Sequence, residues 1–399
     1  MLSKKLFERL YEAATIQRWN DHVRPVEFTE LDKQAHKMII AWIIAKYEEA
    51  DRAEKVNWNR LMEGCVFELL HRVILTDLKP SVFHKMMQTK GEELNRYVLD
   101  NIRDEIREIS GGFLQRFERY FLDREYAKLE KRILQAAHYI STWWEFGILY
   151  RLNRFIYGIE KTREEIENKL EDFYELSGVR KISLKKKSYG FLTLCGQLRF
   201  QKRWAGTPRI PQTSVLGHLG VVAITSFLCS LEMGLCDRAL YNNFYAGLFH
   251  DLPEVLTRDI ISPVKRSVTG IDSIIKEYER FQLEEVILPL LPNEWHDEII
   301  YFVVDEFDNK VLLDGTIIKN IKDQDMVRLY NKDENNPLFG RLVKACDDLS
   351  AYMEAHLSIK YGISNPHLVE ALKSLKERYS DYSIVDYPIK QLFLNFSES

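Results

Sequence analysis

Cysteine is scarce. The chain has five in 399 residues (Cys65, Cys195, Cys229, Cys236 and Cys346), an odd number with no CxxC pair, mostly inside apolar, helix-like stretches. That usage speaks against a disulfide framework and for reduced, buried thiols. An apolar leader is also lacking, because MLSKKLFERLYEAATIQRW is interrupted by charges every few positions. No stretch approaches the roughly 18 to 20 uncharged apolar residues that a membrane span requires. The expectation is a cytoplasmic protein without a membrane partner. Eighteen Gly and 11 Pro are too few for a collagenous or low-complexity chain. Charge of one sign is not in excess: 56 Lys plus Arg face 60 Asp plus Glu, a net −4, so nothing global favours nucleic acid or an anionic membrane. What remains is 46% hydrophobic and 12% aromatic content, enough for a large core, over a length that suggests two or three domains.

Helical periodicity dominates. Ser3 can cap a first helix, and Thr29 with Asp32 three residues on opens TELDKQAHKMIIAWIIAKYEEAD in capping-box fashion. A long helix follows from about Arg124 to Leu152, and TREEIENKLEDFYELSG ends on Gly178, a good residue just past a helix. The basic, poorly periodic run VRKISLKKKS then sits near the midpoint, where a linker belongs. Helical patterns resume from about Tyr189 to Phe200 and continue to the last, LFGRLVKACDDLSAYMEAHLSIKYG. Only NKVLLDGTIIKN speaks for strands, with an Asp314-Gly315 turn between β-prone runs, read as an insertion in an all-α domain.

The two halves share landmarks in one order. QRWNDHVRP is set against KRWAGTPRIP, so Arg18-Trp19 faces Arg203-Trp204; His36 faces His218, each opening an apolar helix; His71 faces His250; and His138 in KRILQAAHYISTWW faces Asp347 in GRLVKACDDLSAYM. His36 to His71 is 35 residues and His218 to His250 is 32, and the second half's extra length falls at the hairpin. This order argues for an internal duplication. The expected layout is mainly α: a degenerate helical domain at 1–178, a basic linker at 179–188 and a chemically equipped domain at 189–399.

His250-Asp251 closes the apolar helix YNNFYAGLFHD, which lays two adjacent ligands at a core edge, while separate helices bring His218 and Asp347. Two imidazoles and two carboxylates suit one divalent ion such as Mn, Co, Fe, Ni or Zn, with Mg a further candidate, and leave coordination positions for water and substrate.

The ordered pattern H…HD…D resembles the HD superfamily of metal-dependent phosphohydrolases. Within it, HDLPEVLTRDIISPVK (His250 to Lys265) is similar to the bacterial 5′-deoxynucleotidases of the YfbR-like group, whose segment reads nearly HD-x-x-E-V-L-T-G-D-x-x-x-P-V-K. Arg203-Trp204 and VKACDDLSAY around Asp347 also match, so the resemblance runs from about Gln197 to Ile359. It implies tandem HD helical bundles with a hairpin insertion in the second. It implies a metal held by His218, His250, Asp251 and Asp347, and Glu254 as general acid or base toward the activated water. Asp259 would lie beside it, Arg203 would grip the phosphate, Trp204 would pack on the sugar, and Lys265 would add positive charge. The implied activity is removal of phosphate from (deoxy)nucleoside 5′-monophosphates.

The chain departs from that group at Arg258, where the family has Gly, and at Gly217 and Leu219, where polar residues usually flank the histidine. Arg258 points to a second phosphate, keeping an HD triphosphohydrolase or phosphodiesterase as the alternative, beside a non-catalytic nucleotide-binding protein. In the first half Arg72 stands where the second has Asp251, and His138 replaces Asp347. That half therefore lacks the hydrolytic set, and a site of three histidines is a minor alternative. The partners expected are a small nucleotide and either a second copy of the chain or the fused half acting as an internal pseudo-dimer partner.

Overall fold

A computed structural model describes residues 2–76, 78–257 and 270–394. The first half holds α1 (Lys4–Glu12), a two-stranded β1 (Gln17–Arg18) and β2 (Phe28–Thr29), and α2 (Glu30–Arg52), α3 (Trp58–Leu75), α4 (Pro80–Ile106), α5 (Phe113–Leu122), α6 (Lys128–Tyr150) and α7 (Ile159–Glu171). It continues through α8 (Ser177–Ser183) and α9 (Lys187–Gln197) into α10 (Val215–Glu232), α11 (Asp237–Phe249) and the short α12 (Glu254–Thr257). After the gap come α13 (Ile271–Gln282), α14 (His296–Val303), the hairpin β3 (Asn309–Leu313) and β4 (Thr316–Lys319), and β5 (Leu338–Phe339). The chain ends in α15 (Gly340–Lys360), α16 (Pro366–Arg378) and α17 (Ile389–Leu394).

The expected caps form: Ser3 Oγ accepts the Leu6 N–H at 3.2 Å and Thr29 Oγ1 that of Asp32 at 3.2 Å, satisfying donors that a helix start leaves open. The hairpin also forms. Leu313 pairs with Thr316 across Asp314 and Gly315, both at positive φ as a two-residue primed turn requires, and β5 adds a third strand beside β3.

The basic run is not a linker. α8 and the start of α9 occupy it, with Val179 and Ile182 buried. Gly178 is not a helix stop but lies inside α8, where a Cβ would sit 2.7 Å from Cα of Ile44, so glycine lets α8 settle onto α2. α10 is long and apolar enough to cross a membrane, contrary to the sequence expectation, yet 89% of it is buried in the core. It packs against α11, α2 and α15, and one continuous hydrophobic core joins the two halves. Polar ties cross it as well: Trp42 Nε1 donates to the Tyr241 hydroxyl at 3.1 Å, and Lys46 pairs with Glu298 at 2.7 Å. All five cysteines are free thiols.

Candidate active site and metal centre

Three elements bring four residues together. Ser214 caps α10 by accepting the Gly217 N–H at 3.0 Å, and His218 follows one turn later, fully buried. α11 stops at Phe249 because Pro253 lies just ahead, so His250 and Asp251 are presented at the helix end. α15 supplies Asp347. His218 Nε2 lies 3.0 Å from Asp347 Oδ1 and 4.0 Å from Asp251 Oδ2, while His250 Nε2 lies 3.3 Å from Asp251 Oδ2 and 3.9 Å from Asp347 Oδ1. One ligand atom from each of His218, His250 and Asp347 falls within 4.8 Å of the others, and no other such group occurs among the described residues.

Both Nε2 atoms are buried and neither makes an aligned hydrogen bond. The opposite ring nitrogens are engaged: His250 Nδ1 with the Gly247 carbonyl at 3.0 Å and His218 Nδ1 with Ser350 Oγ at 2.9 Å. With Nδ1 donating to the Gly247 carbonyl, Nε2 is the His250 nitrogen that faces the two carboxylates and is the one available to a metal. Burial and the nearby Arg203 hold His218 below its ordinary value, so it stays neutral. His250 behaves oppositely: burial disfavours its charge, but Asp251 and Asp347 outweigh that and raise it to about 9. Asp347 is lowered despite burial by Lys344 and His218, and Asp251 by His250. A proton on His250 thus partly compensates two clustered carboxylates, a task suited to a divalent cation.

The cluster opens onto a cavity of about 1400 Å³ whose wall includes Arg203, Trp204, Asp251, Glu254 and Asp347. Glu254 begins α12, is buried and lines the same cavity as His250, Asp251 and Asp347. Arg203 and Trp204 are held by a residue that sequence reasoning missed: Glu354 on α15 accepts from Arg203 Nε at 3.2 Å and from Trp204 Nε1 at 2.7 Å. Trp204 adopts φ +59°, strained for a bulky side chain, and the bond to Glu354 helps hold it there. Lys344 was also missed. Its Nζ bridges Asp347 Oδ2 at 2.7 Å and Asp348 Oδ1 at 3.0 Å, a pairing written in the i, i+3, i+4 spacing of VKACDD. Arg258, Asp259 and Lys265 lie outside the described residues.

A family profile described as an HD domain matches residues 195–376. The C-terminal half of the chain is an HD domain. Over 211 residues, 51% of this chain and 89% of the relative, it is 25% identical to a 4′-phosphooxetanocin A phosphatase of Priestia megaterium. Over 212 residues, 51% of the chain and 93% of the relative, it is 26% identical to a 5′-deoxynucleotidase of Vibrio atlanticus (strain LGP32). A shorter likeness, 32% over 72 residues, covers 16% of the chain and 36% of a dATP triphosphohydrolase of Acinetobacter phage SH-Ab 15497. That half is a metal-dependent phosphohydrolase domain of the HD class.

Within the HD domain, Gly217 has a packing cause: a Cβ there would lie 2.8 Å from Asp32 Oδ1 of α2. The first half does not gather its histidines. His36 is buried with Nε2 2.8 Å from the Leu192 carbonyl and Nδ1 3.2 Å from Arg199 Nη2, a fully engaged core residue. His71 meets Asn95 Oδ1 at 3.0 Å and stacks on Phe121. Lys33 stands four residues past the Thr29 cap, as His218 stands four past Ser214, and its Nζ lies 2.6 Å from His138 Nδ1. Arg18 and Trp19 donate to Glu145 at 2.9 Å each, as Arg203 and Trp204 do to Glu354, and Trp19 too has a positive φ, +56°. Gln17 pairs with Thr29 as Lys202 pairs with Ser214.

Proposed function

We propose that the HD domain removes phosphate from a (deoxy)nucleoside 5′-monophosphate. The observation that carries this is the convergence of two buried imidazole nitrogens on two carboxylates, beside Arg203, Trp204 and Glu254 on one cavity wall. His218, His250, Asp251 and Asp347 would hold one divalent transition ion, of a kind their mixed nitrogen and oxygen donors suit. Such an ion polarises a phosphoryl oxygen and acidifies water. Arg203, oriented by Glu354, binds the phosphate, and Trp204 packs on the sugar. Glu254 takes the proton of the attacking water, and Asp259, with Arg258 and Lys265, is assigned to the same face by the sequence motif.

The cavity exceeds the usual ligand-pocket range of about 300 to 1000 Å³, and one relative acts on dATP, which favours a nucleoside triphosphate as second reading. Its wall argues for the monophosphate. Among the described lining residues nine are Asp or Glu and five are Lys or Arg, a poor match for four negative charges. Phosphate release is to be measured on nucleoside mono-, di- and triphosphates and cyclic nucleotides with Mn, Co, Ni and Mg, for wild type and Asp251→Ala. Monophosphate hydrolysis lost in the variant supports the reading, and release from no substrate by a metal-loaded protein overturns it.

We further infer that residues 1–178 are a second HD-like copy that has lost the metal set, with Lys33 and His138 in place of His218 and Asp347. Supporting this is the repeated arrangement of Arg18, Trp19 and Glu145. The copy acts as a built-in partner that covers apolar faces of α10 and α11 through α2 and α3. The free thiols accord with a cytoplasmic setting.

A further inference from the structure

On α15, Asp347, Ser350 and Glu354 share one face at the i, i+3, i+7 spacing, and α6 repeats it as His138, Ser141 and Glu145. The two serines differ in their company. Ser141 Oγ is buried without a hydrogen-bond partner among the described residues. Ser350 Oγ lies between His218 Nδ1 at 2.9 Å and the hydroxyl of Tyr11 at 2.7 Å. Tyr11 belongs to α1, at the far end of the chain, and is 2% exposed. It stands seven residues before Arg18, and the residue seven before Arg203 is Gly196, against which His36 and Trp144 pack closely. Each copy's leading helix thus packs on the other copy, and one of them delivers a hydroxyl.

Proton counting gives that hydroxyl a role. The Tyr11 hydroxyl lies 3.0 Å from the Ser350 carbonyl, and a Tyr11 O–H donated there uses its one hydrogen. The 2.7 Å contact, in which either oxygen can donate, then takes the hydrogen of Ser350 Oγ and leaves that oxygen to accept from His218 Nδ1–H. A neutral imidazole protonated at Nδ1 carries its lone pair on Nε2, the atom facing Asp347 and Asp251. Were Tyr11 absent, Ser350 could donate to Nδ1 instead and place the proton on Nε2.

We propose that Tyr11 is a positioning residue for the HD domain: through Ser350 it holds His218 in the tautomer that presents Nε2 to a metal. The second step rests on the metal reading above, while the tautomer does not. The experiment is nitrogen-15 NMR of the metal-free histidines together with Mn²⁺ titration by calorimetry, on wild type, Tyr11→Phe, Ser350→Ala and Ser350→Thr. Expected are an Nδ1-protonated His218 in wild type, a shift toward the Nε2-protonated form in Tyr11→Phe and Ser350→Ala, and about 10-fold weaker Mn²⁺ binding in both. Ser350→Thr keeps the hydroxyl and retains the wild-type tautomer. Unchanged tautomer and affinity in both Tyr11→Phe and Ser350→Ala overturn the proposal. An Nδ1-protonated His218 that responds to Tyr11→Phe in a protein that binds no Mn²⁺ supports the relay and overturns the metal reading alone.

Discussion

Lys33 Nζ lies 2.6 Å from His138 Nδ1 in the first half, while in the second His218 Nε2 lies 3.0 Å from Asp347 Oδ1. An amine thus meets the histidine of the first half, with Arg18 and Arg72 around the neighbouring Glu30. The expected metal content is one ion per chain. Lys33→Met keeps that value, because the first half contributes no ligand. Elemental analysis after desalting checks it, and a value of two, or a loss in the variant, counts against the assignment.

Glu354 accepts from both Arg203 and Trp204, so its charge would orient the phosphate grip proposed for Arg203. Glu354→Gln keeps the shape and weakens two charge-assisted bonds. The expected result is a KM for the monophosphate raised about 10-fold with a smaller change in kcat, from steady-state kinetics.

Acid should unfold the protein partly through two buried glutamates. Burial raises Glu354 and Glu30, but Arg209 and Arg203 around the first, and Lys33 and Arg18 around the second, outweigh it and hold each at about 2, below the ordinary 4.5. A carboxylate depressed on folding contributes stability that is complete above pH 4.5 and is lost as pH falls through 2. Each is worth on the order of 3 kcal/mol. Urea midpoints between pH 5 and 2 should fall, and Glu354→Gln should flatten the fall.

Gly178→Ala tests the joint between α8 and α2. Its Cβ would meet Ile44 backbone at 2.7 Å, so the helices must part. The substitution is expected to cost about 1 to 3 kcal/mol, against the small gain alanine brings to an exposed helix. Thermal unfolding measures it.

Much of this was legible in the sequence because the signals are local. Ser3 and Thr29 cap as read, Asp314-Gly315 turns as read, and His250-Asp251 before Pro253 marks a helix end. What escaped is carried by long-range contact. The basic run 179–188 reads as solvent-facing until Ile44 is known to lie under Gly178. His36 looks like the partner of His218, yet Lys33 is the residue that stands four past its helix cap, as His218 does, and that meets His138. Glu354 and Ser350 carry no motif. Only the repeat of H-x-x-S-x-x-x-E at His138 against D-x-x-S-x-x-x-E at Asp347 could have shown them.

The central claim is a single metal site in the C-terminal half. Crystals grown with Mn²⁺ and recorded near its absorption edge test it directly. The account predicts one anomalous peak per chain at about 2.1 Å from Nε2 of His218 and of His250, with Asp251 and Asp347 completing the set. A peak elsewhere, or a second one between Lys33 and His138, contradicts it.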